Sequence, residues 1–196
     1  MAVIIIPCPR IDTSKITEWS SATKTKAIFA RAVNTLVLDL VSFREKFLLQ
    51  TLEGNQIVEP GKVICMGQSR VDPWQVDAKH LFARYNVVDI TPDGWLVCEP
   101  KPGVFHKAYQ VTKEALKYCV FDPGDYHEID HFRIWAKEGQ GHKCYPHQGT
   151  QGLGEPEYEQ MGKLGDWILM SNSDPADVWI VRKDLFNATY VLQETV

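Results

Sequence analysis

The sequence predicts an α+β fold, mostly antiparallel β-sheet with short helical turns, and internally pseudo-repeated. Three observations carry this reading. Short apolar runs rich in Val, Ile, Trp and Tyr recur between turns of Gly, Pro, Asn and Asp, the pattern of strands and hairpins. One unit of hairpin, helical turn and strand is legible at 164–192. A second copy of that unit is legible at 60–88.

Residues 164–192 read LGDWILMSNSDPADVWIVRKDLFNATYVL. Gly165 and Asp166 make a turn, and Trp167 to Met170 is an apolar strand. SNSDPAD is a polar turn, and Val178 to Val181 is the second strand of a hairpin. KDLFNAT is one helical turn, and YVL is a strand. Phe186 and Tyr190 share one side of the turn and face the sheet. Residues 60–88 read PGKVICMGQSRVDPWQVDAKHLFARYNVV. Gly61 aligns with Gly165, Val63 to Met66 with Trp167 to Met170, and Trp74 with Trp179. Leu81 and Tyr85 align with Phe186 and Tyr190, so all four are expected to be buried. A truncated echo is read at 94–109, with Phe105 and Tyr109 as its aromatic pair. Phe47 to Gly54 aligns with Phe132 to Gly139, so the second copy carries an insertion at 140–160.

These residues resemble the small phage and prophage proteins named for a Pro-Gly-Asp-Tyr-x-Ile motif. The resemblance rests on TLEG at 51–54, Pro60-Gly61, the apolar strand after it, and an aromatic four residues before Tyr. The KTKAIFARAV stretch at 24–33 is similar to the strand that opens that family. Lys62 stands where the family has Asp, and Leu164 and Trp167 where it has Pro and Tyr. The literal PGDY at 123–126 lacks the downstream pair and is read as chance. The resemblance covers about half the chain. It implies a phage-type context and carries no activity.

The remaining elements follow in order. Ala2 to Ile6 is an apolar strand and not a secretion signal, because no basic residue precedes it. Residues 11–25 read as polar loop, Lys26 to Val33 as a strand, and 35–49 as strand, one helical turn and strand. Phe47 to Leu52 and Gln56 to Val58 form a hairpin. Tyr85 to Ile90 and Trp95 to Glu99 pair around Thr-Pro-Asp-Gly. Pro102 opens a helical turn to Tyr109. Thr112 to Phe121 has no firm assignment, and His131 to Lys137 is a strand. The Gly-rich stretch 139–160 is a long loop. Two β-rich units follow, 1–110 with its first copy at 24–90 and the hairpin at 85–99, and 111–196 with the inserted loop 140–160. One packed globule is the alternative reading.

Composition narrows function. The chain has 21 Lys and Arg against 25 Asp and Glu, a net charge of −4, which gives no basic stripe for nucleic acid. An odd count of five cysteines without paired spacing fits a reducing cytosol. No apolar run is long enough for a membrane span.

His127, His131, His142, Cys144 and His147 form the densest chemical cluster, and H-x-C-x-x-H suits a tetrahedral zinc. The other reading is a polar loop that carries histidines. Trp74, Trp95, Trp167 and Trp179 recur at repeat-equivalent strand positions, and Trp135 precedes the loop. They are read first as core and second as a stacking floor. Trp19, in a polar stretch, is the exposed contact. Cys65 and Cys98 lie in apolar strands and read as small hydrophobes.

The binding residues singled out are His142, Tyr145, His147, Tyr158 and Glu159 on the inserted loop, with Trp74 and Trp179. The first copy turns the same corner without that loop, so the loop reads as recognition. The expected function is a non-enzymatic, phage-type accessory binding protein in the bacterial cytosol. Its partner is a host protein or a small nucleotide, in host takeover or anti-defence, as the resemblance implies. No cofactor is expected, and zinc is the alternative. The alternative functions are a metal-dependent hydrolase or nuclease on the histidine cluster, and a virion or assembly component. Homo-oligomerisation is left open.

Overall fold

A computed structural model of the chain describes residues 8–33, 48–51, 54–68, 73–120, 129–136, 142–144 and 157–193. The strand read at 2–6, most of the 35–49 stretch and the PGDY at 123–126 lie outside them. In chain order the strands are β1 (Arg10–Ile11), β2 (Ser20–Lys24), β3 (Ile28–Ala32), β4 (Leu48–Thr51), β5 (Gly54–Ile57), β6 (Lys62–Met66) and β7 (Pro73–Asp77). Helix α1 (Ala78–Arg84) leads to β8 (Tyr85–Ile90), β9 (Leu96–Pro100), β10 (His106–Gln110), β11 (His131–Ala136) and β12 (His142–Cys144). Then come β13 (Glu157–Lys163), β14 (Trp167–Ser171), β15 (Val178–Val181), helix α2 (Lys183–Thr189) and β16 (Tyr190–Gln193). The fold is mostly antiparallel β with few short helices, as the sequence predicts.

The chain divides into two compact units. One is Thr23–Val104, and the other joins Met1–Ala22 to Phe105–Val196. The boundary read at 110 therefore falls elsewhere. Residues 106–110, expected as a helical turn, are the middle strand of the second unit's sheet, and β1 pairs in parallel with β11. The echo at 94–109 is overturned for the same reason. Phe105 is exposed outside any helix, and Tyr109 is buried on β10.

In the unit Thr23–Val104 the sheet order is β7-β6-β3-β9-β8, with β4 and β5 as a separate hairpin. Alternation on β6 sends Val63 and Cys65 inward, where they meet Ile28, Ala30, Cys98 and Leu81 of α1. The Cys98 and Cys65 thiols are fully buried, and burial pushes Cys65 up to about 12. Leu81 is buried as expected, but Tyr85 is only half-buried, because it opens the outermost strand. The register of β8 slips between Val87 and Asp89, and the Asp89 carboxylate accepts the Ile90 N–H at 2.7 Å. Val87, Val88 and Ile90 are exposed along this strand.

In the unit of Met1–Ala22 and Phe105–Val196 one sheet runs β15-β14-β10-β2-β16. Residues 11–25, read as loop, contain a 3-10 turn at Thr13–Lys15 and strand β2. Residues 112–121 hold a 3-10 helix, Lys113–Tyr118. All five residues of β14 are buried. On this sheet Trp167 stacks on Phe186 at 3.9 Å between centroids, and Phe186 on Tyr190 at 5.1 Å. Trp19 is not an exposed contact. It packs on a core and meets Tyr109 edge-on.

The two aligned segments have the same run of elements: hairpin, seven-residue helix, outer strand. Their hairpins keep one register. Val63, Ile64 and Cys65 face Val76, Gln75 and Trp74, while Trp167, Ile168 and Leu169 face Val181, Ile180 and Trp179. The corner before each helix is tied with opposite polarity. In one unit Asp166 at the start of the hairpin accepts the Lys163 and Lys183 N–H groups, each at 2.9 Å. In the other, Lys62 at the matching place meets Asp77 at 3.0 Å, just before α1. Gly61 and Gly165, with φ of 81° and 100°, make the turn that presents these side chains.

Among the described residues no helix is long and apolar enough to cross a membrane. Replacing Asp166 with Ala should leave two backbone donors without this acceptor and cost about 1–3 kcal/mol in urea unfolding. The other corner predicts a pH effect. The hydrogen bond from Lys62 holds the Asp77 carboxyl below its usual range. A depressed folded value means stability that is present above the unfolded pKa, about 3.9, and lost as pH falls through the folded one. The melting temperature of Lys62→Met should therefore fall less steeply than wild type on acidification below about pH 4.

Candidate functional site

The four-stranded sheet of the second unit runs β1-β11-β13-β12, with β1 parallel to β11 and the other pairs antiparallel. Its two faces differ in chemistry. The sequence His131-Phe-Arg-Ile-Trp-Ala alternates, so Phe132 and Ile134 lie fully buried on one face. Ile11 of β1 joins them. Gln160 of β13 is also buried, and its carbonyl accepts the Ile180 N–H of β15 at 2.8 Å. Gly162 allows this close packing. A Cβ there would lie 2.8 Å from Phe132 Cζ and 2.9 Å from Ile180 Cγ2.

The opposite face carries Arg10, Arg133, Trp135, Glu159 and Met161. Glu159 forms ion pairs with Arg10 and, at 3.1 Å, with Arg133. The Arg10 guanidinium lies over the Trp135 ring, 3.7 Å from its centroid. Arg133 also donates Nε and Nη2 to the Cys8 carbonyl at 3.1 and 2.9 Å. Burial pushes the Cys8 thiol up, against the pull of Arg133. Glu159 is 7% exposed, whereas Trp135 is 36% and Met161 56% exposed. A buried carboxylate thus fixes two arginines around a half-open tryptophan.

Of the residues singled out in the sequence, this sheet carries five: His131 on β11, His142 and Cys144 on β12, and Tyr158 and Glu159 on β13. Glu159 faces Trp135 on one side and His142 on the other, and Tyr158 faces Ala136 and Lys143. Tyr145, His147 and His127 lie outside the described residues. Residues 140–160 are not simply an inserted loop. They contain β12 and the first half of β13, which pairs with β11 along its length. The excision of 141–160 that the loop reading invites would remove a strand from the sheet. The stretch hid because one face of β13 carries the ion-paired Glu159 with exposed Met161 and Lys163 and the other buries Gln160 and Gly162, so no apolar alternation appears.

Trp74 and Trp179 pack on cores in separate units. Trp74 faces Cys65, and Trp179 faces Leu169 and meets buried His106 edge-on at 5.2 Å. The described histidines do not converge. His131 faces Lys163 and His142 faces Glu159, four residues apart on β13, so across two strand spacings their Cα atoms are about 16 Å apart. That is too far for shared ligation, and His131 instead meets Asp130. Among the described residues no group of three or more His, Cys, Asp or Glu is placed to hold a metal. Arg10, Arg133 and Met161 were missed by sequence reading. The alternation of β11 was the signal that could have flagged Arg133, and nothing local flagged Arg10.

Replacing Glu159 with Ala should cost about 2 kcal/mol, below the 3–5 of a fully buried pair because both arginines are partly exposed. Glu159→Gln should cost less, since the amide oxygen still accepts. Chemical unfolding of both variants checks the order. No protein-family model, no curated protein and no solved structure matches the chain.

Proposed function

We propose that this is a non-enzymatic binding protein of phage type, acting in the bacterial cytosol. It captures a host protein through the face of Arg10, Arg133, Trp135, Glu159 and Met161. The observation that carries the reading is the partly exposed Trp135 with the Arg10 guanidinium over its ring. Trp, Arg and Met are the residues enriched at protein contacts, and Trp and Arg dominate their energetics. Arg10 and Arg133 are pre-ordered by Glu159, so little side-chain entropy is lost on docking. The phage-type context rests on the resemblance of the 51–61 and 24–33 stretches to the Pro-Gly-Asp-Tyr-x-Ile proteins. We read the two units as fused copies of one ancestor. The support is their common hairpin register and the seven-residue helix and outer strand that follow each hairpin. Host takeover or anti-defence is the role this context suggests.

The test uses the full chain, tagged, in host lysate, beside a Trp135→Ala/Arg10→Glu variant. The expected result is a defined host protein retained by the wild type and lost, by at least about tenfold in affinity, from a variant with an unchanged circular dichroism spectrum. Equal capture by both would place the contact elsewhere. Selective binding of a nucleotide without any retained protein would replace the host-protein reading with the nucleotide one.

A further inference from the structure

The sheet face that carries Trp135 has a finer order, which limits what can dock on it. On neighbouring strands Trp135 faces Glu159, and Arg133 faces Met161. The four positions make one square of the sheet. Its exposed apolar residues, Trp135 and Met161, lie on one diagonal, and the ion pair of Arg133 with Glu159 lies on the other. Diagonal neighbours on one sheet face are within reach of long and aromatic side chains. Trp135 and Met161 therefore offer one apolar patch.

The charge beside that patch is positive. Glu159 is buried and pairs with both guanidiniums, so one carboxylate stands against two cations. One row further, His131 faces Lys163. Lys163 is exposed, and among the described residues no hydrogen bond or ion pair engages its ammonium. Asp130, at the same end, is engaged with His131. Glu157 stands four residues along β13 from Met161, about 13 Å, which is beyond a Debye length at physiological salt. The chain as a whole carries a net charge of −4, so this local excess of cations runs against its composition.

Building on the reading of this face as a protein contact, we propose that the partner presents an extended acidic segment. A large apolar side chain of that segment rests on Trp135 and Met161, and a carboxylate two residues away meets Lys163. The spacing follows from the sheet. Met161 and Lys163 are two residues apart on one face, about 7 Å, which is the distance between same-side residues of an extended peptide. A peptide laid along β13 thus brings its carboxylate to the ammonium when its apolar residue sits at Met161. Arg133, opposite Met161, adds its field to that of Lys163 and draws the same carboxylate.

The experiment selects mRNA-displayed random dodecapeptides on the immobilised full chain, and titrates a synthetic peptide of the enriched sequence by fluorescence anisotropy. Enriched sequences should carry Asp or Glu two positions from a large apolar residue. Lys163→Glu and Met161→Ala should each weaken the peptide by about tenfold with an unchanged circular dichroism spectrum. Affinity should fall as salt is raised from about 50 to about 500 mM. Enrichment of peptides without acidic residues, still lost with Trp135→Ala/Arg10→Glu, would overturn the acidic segment and leave the face as a protein contact. Peptides that bind Trp135→Ala/Arg10→Glu as tightly as wild type would count against both. Failure to enrich any sequence would overturn the extended segment without touching capture of a folded host protein. Displacement of the peptide by a single-stranded thymidine oligonucleotide would replace the protein segment with nucleic acid.

Discussion

A short polar tie at the corner between hairpin and helix holds each five-stranded sheet in its topology. Asp166 bonds the backbone on both sides of that corner, through Lys163 and Lys183. Without this tie the seven-residue helix would have little to fix its direction, since helices so short do not persist alone. The helix in turn stacks Phe186 on both Trp167 and Tyr190, and β16 can reach its place in the sheet only from there. In Thr23–Val104 the same corner is closed by Lys62 and Asp77 with the charges exchanged. An ion pair between side chains is a weaker and more solvated tie than two backbone bonds. It accompanies a smaller core, with Val63 and Leu81 where the other unit has Trp167 and Phe186.

The charged sheet face obeys a different constraint. Burying Glu159 is affordable only because two guanidiniums meet it, and those guanidiniums are then fixed for any other purpose. Arg133 also reaches the Cys8 carbonyl, so the segment entering β1 is tied to β11 by a side chain as well as by the ladder. Stability of this sheet and presentation of Trp135 therefore come from the same contacts.

Sequence alone made some of this legible. The hairpins at 62–77 and 167–181 and the helices after them could be read because their apolar residues alternate and their turns carry Gly, Pro and Asp. Strand β13 could not, since Glu-Tyr-Glu-Gln-Met-Gly-Lys has no apolar stripe. Its buried side is Gln160, whose side-chain oxygen accepts one hydrogen bond from the Ile180 N–H, and Gly162, which has no side chain. Strand β10 was mistaken for a helical turn because its aromatic spacing imitated that of the true helices. The ion-paired face was invisible for a topological reason: Arg133 and Glu159 meet through the antiparallel pairing of β11 with β13, and Arg10 joins them only through the parallel pairing of β1 with β11.

The slipped register at Val88 bears on how Thr23–Val104 behaves in a crowded solution. A straight outer strand offering Val87, Val88 and Ile90 would be a template for strands of other chains. The slip bends that template, and the Asp89 carboxylate occupies the donor of Ile90. An apolar margin can thus stay open to water without seeding fibrils, and the safeguard resides in one displaced residue and one acidic side chain.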